Sequence, residues 1–347
     1  MGPQNGRSIA VSENIAEGPG KRQIFNHQTL WLIFKIVLAL GLAALVFAQV
    51  TLDDMYQLLR RISPLWLAGY AFFTYATLVC SATRYRVLIG RRISLRQALN
   101  LVVIQVVIGN LVATAAGMVS YVTLLRTRYQ VQVSQSIVSV IVSRLGDLLV
   151  AFVFLAVSSW LNWPEVAGIG WLIGLLLACI LAILLASTLT LLFRRRMVDF
   201  VRWVLSLLHI ARLAPFQRGL RMLEELAAQD VRQMLPLALP VLVTSTLIMV
   251  CGVLSSYCGV QLFAIPIGLR QIVFMVVLVQ LLSIVPIQVF GGLGVLDVTS
   301  MFIYGLFGIG ADVITPILVG NRIVFYGMNL LLLAYLGLDV LLDRRGS

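Results

Sequence analysis

Apolar residues run in long stretches along almost the whole chain, separated by short clusters of arginine and glycine. A helix needs about 20 predominantly apolar residues to cross the hydrocarbon layer of a membrane. Stretches on that scale lie at 30–52, 65–83, 97–125, 136–158, 168–193, 234–256, 271–308 and 312–342. Two of them are interrupted. The run 97–125 contains Asn100, Gln105, Asn110 and Gly117, and the run 271–308 contains Gln280, Pro286, Gln288, Gly291, Gly292, Gly294 and Asp297. That pattern predicts helices that break inside the membrane, near Gly117 and near Gly291–Gly294. Residues 1–28 are polar, with Gly2, Gly6, Gly18 and Gly20 and two prolines, and are expected to form a flexible cytoplasmic tail ahead of one membrane domain at 29–347.

Composition agrees with this pattern. Hydrophobic residues make up 60% of the chain and charged residues 12%, about half the charge of a soluble globular protein. The mean hydropathy of +0.99 excludes a water-soluble fold. The fold class is therefore all-α and polytopic.

Charge then threads the runs. The net charge is +12, from 26 basic and 14 acidic residues. In a soluble chain such a surplus suggests nucleic acid, but membrane proteins collect arginine and lysine in cytoplasmic loops. If 97–125 crossed once, Arg194, Arg195 and Arg196 would fall outside the cell. If both 97–125 and 271–308 enter and return, 20 basic residues fall inside and only Arg60, Arg61 and Arg270 outside. Six full spans plus two re-entrant helical hairpins, with both termini cytoplasmic, follow from that sorting, and nucleic acid is not needed as a partner.

An internal repeat points the same way. Ile93-Ser94-Leu95-Arg96-Gln97 recurs as Ile267-Gly268-Leu269-Arg270-Gln271, an offset of 174 at which Gly117 also meets Gly291. Each copy leads into a broken hairpin and then a span carrying one arginine, Arg144 or Arg322. Three full spans separate the hairpins, so the halves (about 65–160 and 234–342) would have opposite orientation. Inverted repeats with discontinuous helices are a pattern of secondary transporters, which hold substrate near the midplane.

Candidate chemistry is sparse. Arg144 and Arg322 sit deep in apolar runs, where insertion costs about 2.5–3.5 kcal/mol each, so each is expected to face a cavity or a partner. Asp147 follows Arg144 by three residues and shares its helix face. It either forms a structural pair with Arg144 or orients that guanidinium for a phosphate-bearing head group. Arg322 has no acid within one turn, although Asp297 or Asp312 could reach it in space. The glycines of 290–297 break the helix and let backbone amides approach a ligand, and a helix starting after Gly294 would turn its positive end inward. Asn110 and Gly117 mark the first tip, where helix packing and ligand contact are both open readings.

Other chemistries find no pattern. His27 and His209 are the only histidines, and Cys80, Cys179, Cys251 and Cys258 lack metal-ligand spacing and are read as packing residues. No nucleotide loop of the G-x-x-x-x-G-K-[ST] type occurs, and no pairing of nucleophile and base suggests an enzyme. No cofactor is expected. The segment 194–233 is amphipathic, carries eight basic residues in 194–232, and is expected to rest on the anionic inner leaflet, where it could also recruit a partner enzyme.

The order of motifs resembles the flippase-like transmembrane domain of lysylphosphatidylglycerol synthases and of related stand-alone bacterial inner-membrane proteins. The resembling segments are Ser81-Ala82-Thr83-Arg84-Tyr85-Arg86, Asn110 to Gly117, Ser143-Arg144-Leu145-Gly146-Asp147, Gly291-Gly292-Leu293-Gly294-Val295-Leu296-Asp297 and Asn321-Arg322. Ala115, Ala116, Met118 and Phe290 stand where the family usually has other residues. The cytosolic aminoacyl-transferase domain of the synthases is not seen in this chain. The resemblance implies movement of an anionic or phosphate-linked lipid between leaflets of the plasma membrane. The expected substrate contacts are Arg144, Asp147, Asn110, Gly117, Gly291, Gly292, Gly294, Asp297 and Arg322. A membrane scaffold recruiting a lipid- or glycan-modifying enzyme, a small-solute secondary transporter and an embedded transferase are the rival readings.

Overall fold

The computed structural model describes residues 60, 62–90, 93–192, 235–283 and 295–345. The tail 1–28, the first apolar run 30–52, the amphipathic segment 194–233 and the tip glycines Gly291, Gly292 and Gly294 lie outside the described residues. Those that are described form helices and no strand. In chain order these are α1 (Pro64–Leu88), α2 (Leu95–Leu111), α3 (Thr114–Tyr129), α4 (Val133–Leu161), α5 (Gly170–Leu192), α6 (Leu235–Gln261), α7 (Leu269–Ser283), α8 (Val295–Leu306) and α9 (Ala311–Arg345), with one short helical turn at Trp163–Val166. Among them α1, α4, α5, α6 and α9 carry stretches long and apolar enough to cross a membrane, while α2, α7 and α8 are shorter apolar helices. The chain is a multi-pass membrane protein.

Helix ends follow local chemistry. Ser94 caps α2 by accepting from the Gln97 backbone amide, while the Gln97 side chain accepts from the Ser94 amide at 2.8 Å. This reciprocal box satisfies two amides that the first turn would otherwise leave unpaired. The second copy of the motif does half the same work: Gln271 Oε1 accepts from the Gly268 amide at 2.9 Å. Ile93 and Ile267, which precede the two caps, are both buried. The sequence repeat is thus a repeated helix entry.

The first interrupted run is a helix–break–helix, as its polar residues predict, and the break falls inside the expected tip from Asn110 to Gly117, ahead of Gly117 itself. Helix α2 ends at Leu111, Ala113 is extended (φ −165°, ψ 147°), and α3 starts at Thr114. Gly117 sits within α3 and is buried. A β-carbon there would fall 2.3 Å from the Gln105 carbonyl oxygen and 3.0 Å from the Gly109 backbone. Gly117 therefore lets α2 and α3 pack backbone to backbone, as small residues do where membrane helices meet closely.

Helices α1 and α6 pair along their lengths. Across that seam Thr74 Oγ1 and Ser255 Oγ stand 2.9 Å apart, and Ser255 also donates to the Tyr70 carbonyl at 3.3 Å. One apolar core joins α1, α2 and α3, with Leu332 of α9 closing it. A second joins α4 and α5 to α6, α7 and α8 around Leu155, Phe274 and Val277. A third holds the α6–α7 connection against α8 and α9 through Ile265, Ile272 and Ile317.

Candidate functional site

Few polar side chains are buried in a chain this apolar, so the places where they gather are informative. A cavity of about 430 Å³ lies among α1, α6, α7, α8 and α9. Tyr70, Ser256, Gln280, Ser300 and Asn321 give it hydroxyl and amide groups, and Asp297 and Arg322 line it together. Asp297 lies in the first turn of α8, where the helix dipole favours a negative charge. Arg322 comes from α9 and donates to Asp297 Oδ1 from Nε at 3.0 Å and from Nη2 at 2.9 Å. Both residues are buried. The guanidinium also lies 5.8 Å from the centre of the Phe325 ring, within cation–π range. Of the two acids that sequence left open for Arg322, Asp297 is a partner.

The first half of the chain is arranged differently. Asp147 does not pair with Arg144, contrary to both expectations for that residue. Its Oδ1 accepts from Arg84 Nη1 of α1 and from Ser245 Oγ of α6, the latter at 2.9 Å, and Arg84 also donates to Ser245 Oγ at 2.9 Å. Arg84 is 6% exposed, and its Nε is buried with no hydrogen-bond partner. The reason Asp147 turns toward α1 and α6 is its neighbour Gly146. A β-carbon at 146 would fall 2.5 Å from Val241 Cγ1 and 3.0 Å from Ser245 Oγ. Without it, α4 comes close enough to α6 for Asp147 to reach Ser245. The network ties α1, α4 and α6 together deep in the protein.

Arg144 is left half-buried on α4, with no ion-pair partner among the described residues. Asn110, at the end of α2, donates to Asn329 Oδ1 of α9 at 3.0 Å. It joins the two halves of the chain rather than lining the polar cavity. Gly117 packs two helices, as described above. The sequence therefore named nine candidates; the structure brings Asp297 and Arg322 to one cavity, gives Asp147 a structural partner elsewhere, and places Arg144, Asn110 and Gly117 away from that cavity.

Arg84 escaped the sequence reading. It lies near the end of an apolar run beside Arg86, Arg91 and Arg92, and was counted with a cytoplasmic basic loop. The signal that could have found it is the scarcity of acids: Asp147 is the one acid between Asp54 and Glu165, so it is the natural partner for any arginine that the fold buries in that stretch. Tyr70 and Ser256 escaped as well, because single polar residues in apolar runs carry no spacing, and Asn321 was quoted beside Arg322 without a role.

The model of a family described as the lysylphosphatidylglycerol synthase TM region matches residues 32–332. No curated protein and no solved structure matches the chain.

Proposed function

The chain belongs to the lysylphosphatidylglycerol synthase transmembrane-region family, and from that premise we propose that it is a lipid translocase rather than an enzyme, moving an anionic or phosphate-linked lipid between the leaflets of a bacterial plasma membrane. The observation that carries this reading is the polar cavity built on Asp297 and Arg322 within an otherwise apolar helical domain. A head group crossing hydrocarbon needs such a lining, because an unsatisfied polar group costs several kcal/mol there.

The order of helices supports an inverted repeat. The sequence long, short, short, long occurs in α1–α4 (25, 17, 16 and 29 residues) and again in α6–α9 (27, 15, 12 and 35 residues). Exchanging the quartets maps part of the contacts onto contacts: α1 on α2 becomes α6 on α7, α3 on α4 becomes α8 on α9, and α4 on α7 becomes α9 on α2, whereas the α4–α6 contact has no counterpart of similar extent between α9 and α1. The α1–α6 pair maps onto itself, as helices beside a pseudo-two-fold axis do. On this reading α2–α3 and α7–α8 are re-entrant hairpins from opposite faces, and the halves rock about the α1–α6 seam to open the site alternately. A downhill or proton-coupled process fits the sequence, which has no nucleotide loop.

The test is leaflet exchange. The purified full chain is reconstituted in liposomes, and fluorescent phosphatidylglycerol, phosphatidylcholine and a polyprenyl phosphate are followed by quenching of the outer leaflet. Exchange above the protein-free rate for an anionic lipid, lost in Arg322→Met/Asp297→Leu, supports the proposal. Protein-free rates for every lipid would defeat it.

A further inference from the structure

The adjacent helix pairs α3–α4 and α8–α9 each carry one arginine on the second helix, with opposite surroundings. Asp297 and Arg322 lie almost equally far along the chain on either side of Ile309, in the connection between α8 and α9, and they form a buried ion pair. In α3–α4, Met118 and Arg144 lie equally far on either side of Val131. Counted from the α3–α4 turn as Asp297 is from the α8–α9 turn, the positions opposite Arg144 are Met118 and Val119, neither of them acidic. No acidic residue occurs anywhere between 114 and 146. Asp147, the nearest, is held by Arg84 and Ser245.

The surroundings of Arg144 suit an alkyl chain. A groove of about 350 Å³ between α3 and α4 is lined by Met118, Val119, Val122, Ile137, Val140 and Ile141, with Thr123 at its side. Val140 and Ile141 stand four and three residues before Arg144, and so share its face of α4. A second groove, of about 630 Å³, runs between α2 and α3 and shares Val119 and Thr123 with the first. Val119, between them, is 65% exposed. Arg144 is half-buried and stands one turn along α4 from two residues that line the α3–α4 groove, which combines the charge of a counter-ion site with the walls of an acyl-chain site. Arg322, already neutralised by Asp297, does not offer the first of these.

We infer that Arg144, and not Arg322, is the counter-ion for the phosphodiester of an anionic phospholipid, whose acyl chain lies in the α3–α4 groove. The ligand completes on α4 the ion pair that Asp297 completes on α9. This assignment rests on the lipid-handling reading above. It concerns binding rather than movement, so the two can fail separately.

The full chain in detergent is titrated with fluorescent dioleoyl phosphatidylglycerol, with dioleoyl phosphatidylcholine and glycerol 3-phosphate as competitors. The wild type is expected to prefer phosphatidylglycerol. Arg144→Gln should weaken that lipid by about tenfold, the worth of one charge-assisted contact. Met118→Asp should weaken it as much, by supplying the missing carboxylate from the protein itself, while leaving the unfolding temperature unchanged or higher. Arg144→Lys should keep most of the preference, and Ile141→Trp should weaken both phospholipids alike by filling the groove. If Met118→Asp does not fold, Val119→Asp makes the same test from the adjacent position. Undiminished phosphatidylglycerol binding in Arg144→Gln and in the aspartate variant, or no preference in the wild type, overturns the assignment. Equal competition by glycerol 3-phosphate overturns the lipid in favour of a soluble phosphate. Retained preference without leaflet exchange would sink translocation and leave this site standing.

Discussion

Asp297 receives two donors of Arg322 on a single carboxylate oxygen, Nε at 3.0 Å and Nη2 at 2.9 Å, with both side chains buried between α8 and α9. Removing one member of a buried pair strands the other charge and typically costs about 3–5 kcal/mol, whereas replacing both with apolar residues of similar volume can be close to neutral. Arg322→Met and Asp297→Leu are therefore each expected to lower the thermal unfolding temperature in detergent, and the double substitution to restore most of it. Leaflet exchange should not return with it. A double variant that folds like the wild type and still exchanges lipid would show that the pair serves stability alone.

The Arg84–Asp147–Ser245 network makes a different demand. It joins three spans but borders no described cavity, so its loss should appear first in stability. Arg84→Gln and Asp147→Asn each leave an imperfectly matched buried group and are expected to cost about 3 kcal/mol or more. Ser245→Ala removes two interhelical hydrogen bonds, to Asp147 and from Arg84, each worth about 1 kcal/mol in membrane proteins. Arg144→Gln, which breaks no ion pair among the described residues, should leave the unfolding temperature within a degree or two of the wild type. Denaturation followed by tryptophan fluorescence orders these four variants, and an Arg144→Gln loss as large as that of Arg84→Gln would contradict the assignment of Asp147 to Arg84.

Two glycines of the first hairpin separate space from composition. A β-carbon at Gly109 would meet Thr114 Cα at 3.8 Å, an ordinary contact, while one at Gly117 would fall 2.3 Å from the Gln105 carbonyl oxygen. Gly109→Ala should accordingly be tolerated, and helix propensity would even favour it by up to about 1 kcal/mol. Gly117→Ala must push α2 and α3 apart, and overpacking of this kind costs about 1–3 kcal/mol. Equal unfolding temperatures for the two would mean that the hairpin does not close as tightly as described.

How much of this was legible in the chain follows from what each feature depends on. Helix extents came through well, because a run of apolar residues between capping chemistries is a local property: the run 168–193 is α5, and 312–342 is α9. The repeated Ile-x-Leu-Arg-Gln was visible because the capping glutamine must stand three residues after the cap in both copies. The break at Val112–Ala113 lies within the expected tip from Asn110 to Gly117, but its exact place was not legible because no glycine or proline marks it. There the chain turns because α2 and α3 pack on each other, and the glycine that caught the eye is the one that lets them touch. Asp147 was assigned to the wrong arginine for a related reason. Helical spacing predicts which residues share a face, but Gly146 and the approach of α6 decide which way that face looks. Asp297 and Arg322 survived because spacing offered Arg322 no acid on its own helix face, which left the choice between Asp297 and Asp312 to the fold.

Membrane orientation can be read from one end of the molecule. Asn162, just past α4, is buried and donates from Nδ2 to the Arg270 carbonyl at 3.0 Å, and the Arg270 guanidinium donates to Glu165 at 2.7 Å. The end of α4 and the start of α7 therefore share a face of the protein, and Arg270, 55% exposed, lies on it. The capped start of α2 belongs to the opposite face if α2–α3 is re-entrant, because α1 crosses between Ser63 and Ser94. Basic residues are concentrated near the latter, with Arg86, Arg91, Arg92 and Arg96, and the proposed threading puts that face in the cytoplasm because membrane proteins collect such residues there. In a background with the native cysteines replaced, Glu165→Cys and Arg270→Cys should react with an impermeant maleimide in intact cells, and Gln97→Cys only after permeabilisation. A reporter fused after Asn162 should likewise read outside, and one after Arg196 inside. The opposite labelling, or labelling of Gln97→Cys together with Arg270→Cys in intact cells, would remove the re-entrant threading of the first hairpin. The proposed rocking of two inverted halves would fall with it, because that motion needs the hairpins to enter from opposite faces.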